Sequence, residues 1–178
     1  MEKSNHENVR DGLAENLPRL WRYALVLCRD HATAEDLVQA TCVRALERQE
    51  QFRPGTNLRA WLFTILSSIW KNQLRADRVR TGGGFVDPEL ALVADGEGEM
   101  ETNNLLRRVL KEVERLPEAQ RQTVALVYAE GFTYREASRI LDVPIGTVMS
   151  RLATARSMLA GLKESQSAAP RKEDDERQ

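Results

Sequence analysis

The chain has 178 residues, 42% hydrophobic and 30% charged, which is enough apolar material for one ordinary domain or two small ones. No run approaches the ~18–20 apolar residues that span a bilayer, and the opening MEKSNHENVRDG is polar with no apolar signal-peptide core, so a cytoplasmic location is expected. The net charge of −1 conceals a division: residues 1–80 carry 13 basic and 10 acidic side chains, residues 81–104 carry 6 acidic and no basic ones, and residues 105–165 carry 10 basic and 7 acidic.

In chain order, helices are expected near 13–28, 33–50 and 58–78. The second opens with Thr33 as a candidate N-cap before Ala34, Glu35 and Asp36, which places acids where the helix dipole favours them. Leu37, Val38, Cys42, Ala45 and Leu46 follow helical spacing. Cys28 and Cys42 lie in apolar surroundings and are expected to pack as reduced, small hydrophobes. A zinc site needs about four ligands. The segment CRDH at 28–31 offers two at most and His6 lies in the polar leader, so neither a metal nor another cofactor is expected.

FRPGTN breaks the chain, and Asn57, or Thr56 before it, caps a third helix starting around Leu58. On this helix Trp61, Leu62, Ile65, Leu66 and Ile69 cover one broad side, which Phe63 and Trp70 extend. The remaining arc holds Thr64, Ser67, Ser68, Lys71 and Arg75, with Asn72 at its edge, and Arg78 and Arg80 follow. Such an arc is either a solvated face with cations compensating the helix dipole or a strip suited to nucleic-acid backbone and unstacked bases.

Residues 81–104 have linker composition, rich in Gly and acid, with one short apolar run, FVDPELALV. NNLLRRVLKEVERLP reads as an amphipathic helix stopped by Pro117, and EAQRQTVALVYAEG as another with Gly131 as its C-terminal cap. Thr133 followed by Glu136 matches a capping box, with Ala137, Ile140 and Leu141 as the buried stripe. DVP turns the chain into a last helix buried through Val148, Leu152, Ala155 and Leu159. Two helices joined by a tight turn describe a helix-turn-helix. Between Pro144 and Leu162 there is no Asp or Glu, as a helix facing closely spaced phosphates requires. The tail from 166 reads as disordered. Strand signals are nearly absent, so the fold class is all-α.

The motifs AEDLVQATCVRAL (34–46), FRPGTNLRAWLFTIL (52–66) and LPEAQRQTVALVYAEGFTYREASRILDVPIGTVMSRLATAR (116–156) appear in one order. With them the chain, over roughly residues 10–163, resembles a bacterial sigma factor of the extracytoplasmic-function (ECF) class of the sigma-70 family. The resemblance implies a sigma-2-like helical domain over 1–80, a flexible acidic linker over 81–104, a sigma-4-like helix-turn-helix domain over 105–165 and a disordered tail over 166–178. It implies that Asp36, Gln39 and Arg44 meet core RNA polymerase through the β′ clamp, with the β subunit a further partner. It implies that Asn57, Thr64, Ser68, Lys71, Asn72, Arg75 and Arg78 meet the −10 promoter element as it melts, where a base is flipped into a protein pocket. Thr147, Met149, Ser150, Arg151, Thr154 and Arg156 are implied readers of the −35 element. An anti-sigma factor is the implied regulator.

The sequence departs from the family pattern in places. Ser68 stands where Asn is common, Met149 where Arg is common after GTV, and Ala153 and Thr154 where bulkier or basic residues are frequent. Reading of −35 bases then leans on Ser150, Arg151, Arg156, a methyl contact from Thr147 or Thr154, and DNA shape. A stand-alone helix-turn-helix regulator would leave AEDLVQ and the WLF helix unexplained, and an anti-sigma adaptor would not need two basic blocks. An enzyme is not expected: there is no Gly-rich phosphate loop, H-E-x-x-H, G-x-S-x-G or nucleophile with a His partner.

Overall fold

The computed structural model describes residues 2–80 and 112–167. The acidic linker, most of the helix expected over NNLLRRVLKEVERLP and most of the tail lie outside the described residues. Among the described residues every regular element is helical.

Helix α1 spans Glu2–Cys28, starting well before the expected position near 13. The reason is local: Val9 and Leu13, one helical turn apart, are both buried, so the apolar stripe extends back into the polar leader. Arg29 turns the chain with φ +57, and α2, His31–Glu47, follows after two residues. Its N-cap is Asp30, not Thr33. The backbone N–H and the hydroxyl of Thr33 both donate to Asp30 Oδ2, at 2.7 and 2.6 Å. With so short a connection the helix restarts at His31, and Thr33 becomes the residue whose free N–H the cap satisfies. Ala34, Leu37, Val38, Thr41 and Ala45 are its buried positions, with Cys42 and Leu46 half-buried.

A 3₁₀ turn over Gln49–Gln51 leads to Phe52, whose ring lies 5.4 Å from that of Trp61. Helix α3, Leu58–Arg80, follows, and Asn57 caps it by accepting from the Ala60 N–H at 3.1 Å. Leu20, Tyr23, Ala24 and Leu27 of α1 pack with Leu37 of α2 and Leu62, Phe63 and Leu66 of α3. Ser67, expected on the polar arc, is 3% exposed and lies 3.5 Å from the buried Tyr23 hydroxyl.

In the second block residues 112–114 are helical, and after Pro117 comes α4, Glu118–Val124, which widens into a π turn over Ala125–Ala129. The Glu130 N–H donates to the Ala125 carbonyl and the Phe132 N–H to that of Leu126. Gly131 sits between them at φ +72, the left-handed geometry expected of a helix-ending glycine. Helix α5, Tyr134–Leu141, carries the full capping box of Thr133 and Glu136. Asp142, in the left-handed region at φ 52, ends it, and α6 runs Ile145–Ser167, two residues into the segment expected to be disordered.

Ala137, Ile140, Leu141, Val148, Leu152 and Ala155 are buried as their spacing predicts, and Leu159 half-buried. The two blocks are not separate in space. One apolar cluster runs from Val9 through Leu66 into Leu126, Phe132 and Leu152. At its seam the Phe132 ring meets Phe63 edge-on at 5.1 Å.

Candidate nucleic-acid interface

On α2, Asp36 and Gln39 are exposed about one turn apart, and Arg44 is half-buried to one side. Between them Val43 stands 55% exposed. Sequence reasoning missed it because a valine in an apolar helix reads as core. The available signal was its register, since Val43 falls off the stripe of Leu37, Val38, Thr41 and Ala45. Around the helix, Leu17, Pro18, Trp21, Arg22 and Val38 line a groove of about 510 Å³ between α1 and α2.

On α3, Thr64, Ser68, Asn72 and Arg75 are exposed on successive turns and form a continuous strip. The Thr64 hydroxyl donates back to the Ala60 carbonyl at 2.8 Å, which leaves its lone pairs outward. Arg78 lies on the last turn, its side chain outside the described ones. Two of the expected strip residues are engaged elsewhere. Asn57 Nδ2 donates to Glu136 Oε1 of α5 at 2.8 Å. Lys71 Nζ donates to the Leu141 carbonyl, one of the orphan acceptors at the α5 C-terminus, where a cation also meets the negative end of the helix dipole. Partial burial holds the Lys71 ammonium below its ordinary value; Asp142 opposes this, while Arg75 and Arg151 add to it.

The helix-turn-helix is held rigid from within. Ser138 Oγ donates to the Val143 carbonyl at 2.6 Å, and the Val143 N–H donates to the Ser138 carbonyl, so the three-residue turn between α5 and α6 is satisfied at both ends. Val148, Leu152 and Ala155 seat α6 in the core. Its opposite face presents Met149, Ser150, Thr154 and Arg156 to solvent, with Thr147 and Arg151 half-buried at its edges. The Ser150 hydroxyl donates to the Thr147 carbonyl at 3.0 Å. From Ile145 to Ala160 this face contains no carboxylate.

Such surfaces can bind and orient polyanions, and they offer hydroxyl and guanidinium groups to base edges. No group of three or more His, Cys, Asp or Glu side chains among the described residues is arranged to hold a metal ion.

Comparison with known proteins locates both halves. The family model for Sigma-70 region 2 matches residues 13–80, and that for Sigma-70 region 4 matches residues 106–159. The chain is 33% identical over 156 residues to an ECF RNA polymerase sigma factor, EcfG, of Rhodopseudomonas palustris, covering 88% of this chain and 85% of that protein. It is 30% identical over 134 residues to the ECF RNA polymerase sigma-E factor of Escherichia coli, 70% of each chain. Among solved structures, the sigma factor RpoE in complex with the anti-sigma factor NepR from Bartonella quintana superposes with a TM-score of 0.75 at 34% identity. That superposition covers 89% of this chain and 98% of the other. CnrH, solved in complex with the cytosolic domain of CnrY, shares the fold with a TM-score of 0.61 at 22% identity.

Proposed function

The chain belongs to the extracytoplasmic-function class of the sigma-70 family, and on that premise we propose that it carries core bacterial RNA polymerase to a signal-responsive set of promoters by reading each at two points. The observation that carries the proposal is the pair of separate outward faces: the acid-free face of α6 and the hydroxyl, amide and basic strip of α3.

The α6 face, with Thr147, Met149, Ser150, Arg151, Thr154 and Arg156, lies in the major groove at the −35 element. The α3 strip of Thr64, Ser68, Asn72, Arg75 and Arg78, joined by Asn57 and Lys71, meets the melted −10 element. Melting costs a few kcal/mol per extruded base, offset by stacking and edge contacts. Asp36, Gln39 and Arg44 dock on the β′ clamp with Val43 as the apolar centre of the contact, and the sigma-4-like domain meets the β subunit. Residues 1–80 and 105–165 act as the two reading domains, and residues 81–104 as the connector between them.

The protein works in the cytoplasm as an initiation factor, not as an enzyme. No helix among the described residues is long and apolar enough to cross a membrane. An anti-sigma factor holds it in check, a reading supported by the 34% identical sigma factor solved with such a partner.

The test is reconstitution with sigma-free core polymerase on a pool of promoter DNA. Specific initiation is expected to depend on this protein and to be lost when Asp36 and Gln39 are replaced by alanine. Binding to duplex DNA without core, and no transcripts with it, would replace this reading with that of a stand-alone regulator.

A further inference from the structure

The first two turns of α6 carry two large apolar side chains that the core does not use. Ile145 is 46% exposed and Met149 53% exposed, and at a spacing of four residues they are neighbours on one side of the helix. Neither belongs to the apolar cluster that Val148 and Leu152 join. Between them lies Gly146. Its φ is outside the left-handed region. Among the described residues nothing beyond its chain neighbours and its own helix backbone lies within 4 Å of where a Cβ would stand. Neither backbone geometry nor packing within the chain therefore demands glycine there, although a helical glycine is less stable than alanine. A bare backbone is what a closely approaching ligand requires.

These two turns are short of hydrogen-bond donors. The Ser150 hydroxyl donates to the Thr147 carbonyl at 3.0 Å, which leaves it an acceptor toward DNA. Thr147 is half-buried, as is Arg151, the first cation along the helix. In the major groove guanine presents only acceptors, adenine and cytosine present an amino group, and thymine alone presents a methyl group. The N-terminal residues of the second helix are those that meet base edges in a helix-turn-helix. What this chain offers there is apolar surface and a hydroxyl acceptor, a poor match for guanine and a good one for a methyl group.

We propose that the first two turns of α6 select thymine through its C5-methyl group, with Ile145 and Met149 as the apolar walls that receive it and Gly146 as the bare backbone that lets the base pair come close. The inference deepens the −35 part of the reading above and rests on it. The unbranched thioether of Met149 adapts its shape to a methyl group, whereas a guanidinium at that position selects phosphate or guanine. This chain therefore differs in promoter preference from relatives with Arg after GTV.

The test replaces thymine by deoxyuridine, which differs only by the missing methyl group. Holoenzyme reconstituted from this protein and sigma-free core selects duplexes from a pool randomised across the −35 window. The selected duplex is then resynthesised with deoxyuridine at each thymine of either strand in turn. Wild type is expected to bind about fourfold more weakly where the read methyl is removed, ~0.8 kcal/mol at about 1.4 kcal/mol per tenfold, and to bind the other substituted duplexes unchanged. The double variant Ile145→Ala/Met149→Ala is expected to bind the thymine and deoxyuridine forms alike. Gly146→Ala is expected to melt higher as the free chain and to bind both forms more weakly. A selected window without thymine, equal wild-type affinity for every deoxyuridine duplex, or discrimination that survives in the double variant would overturn the methyl reading. With core-dependent binding intact, each of those results leaves the sigma reading standing. The wild-type comparison decides the matter even if a variant does not fold. Selection of duplex by the free chain without core would remove the sigma reading, and the same substitution series on that duplex would still decide the methyl reading. No binding with or without core would remove both.

Discussion

Met149 stands 53% exposed on the face of α6 that we propose reads the −35 element, a flexible thioether where, on that proposal, a cation would meet phosphate or a guanine edge. Met149→Arg should tighten promoter binding by the holoenzyme at low salt and steepen the log–log salt dependence by about 1, checked by titrating promoter affinity against salt. Glu136 is a different kind of residue, serving two masters. The Thr133 N–H, its hydroxyl and the Asn57 amide all donate to its carboxylate. The Thr133 backbone bond, ahead of burial, which opposes it, holds the Glu136 carboxyl below the ordinary value of 4.5. Because the folded value is depressed, the stability this carboxylate contributes is full above about pH 4.5 and is lost as the pH falls through the folded value. Glu136→Gln should melt below wild type at neutral pH, with a gap that closes on acidification, as a thermal series across that range would reveal. The sequence made the capping box legible because both partners lie within four residues. It did not reveal Asn57 as a third partner, 79 positions away, because no local spacing encodes that pairing.

At the scale of elements, helix ends depart from the sequence reading more than helix faces do. The buried stripes of α2, α5 and α6 follow directly from apolar spacing, whereas the start of α1 and the cap of α2 depend on how few residues connect the two helices. The end of α4 shows what spacing can miss. An uninterrupted apolar run, VALVYA, gave no sign of the π turn over Ala125–Ala129, since one extra residue in a turn changes no residue type. Gly131 alone signalled a special backbone there. No atom beyond its immediate neighbours lies within 4 Å of where its Cβ would be, so Gly131→Ala changes only the backbone cost. The variant should lose about 1–2 kcal/mol of stability, read as a lower urea midpoint with an unchanged m-value. A change in m would instead mean that the turn sets how the halves pack.

At the scale of the molecule, the fold class and the exposed polar faces of α3 and α6 were legible, but the docking of one half on the other was not. Helical periodicity records which face of each helix is apolar, and it says nothing of which distant apolar face will cover it. Phe63 read as an extension of the α3 core face, and Phe132 belongs to none of the expected apolar stripes, yet the two rings meet at the seam of a single apolar cluster. Such a seam has a thermodynamic signature. Two independent small bundles would unfold in separate steps, whereas halves that share a core unfold together. Calorimetry of the free chain should show one transition whose van't Hoff and calorimetric enthalpies agree. Phe132→Ala removes the shared ring at a cost of about 3–5 kcal/mol and should split that transition in two, because each half keeps its own helices while the contact between them is lost. Two transitions in the wild-type chain would mean that the halves fold independently and that the seam adds too little to couple them. A single transition that persists in Phe132→Ala would place the coupling in the polar contacts of Trp70 with Glu118, Arg121 with the Val26 carbonyl and Glu130 with Arg19 and Arg22, and Glu118→Ala/Glu130→Ala would then be the variant that splits it.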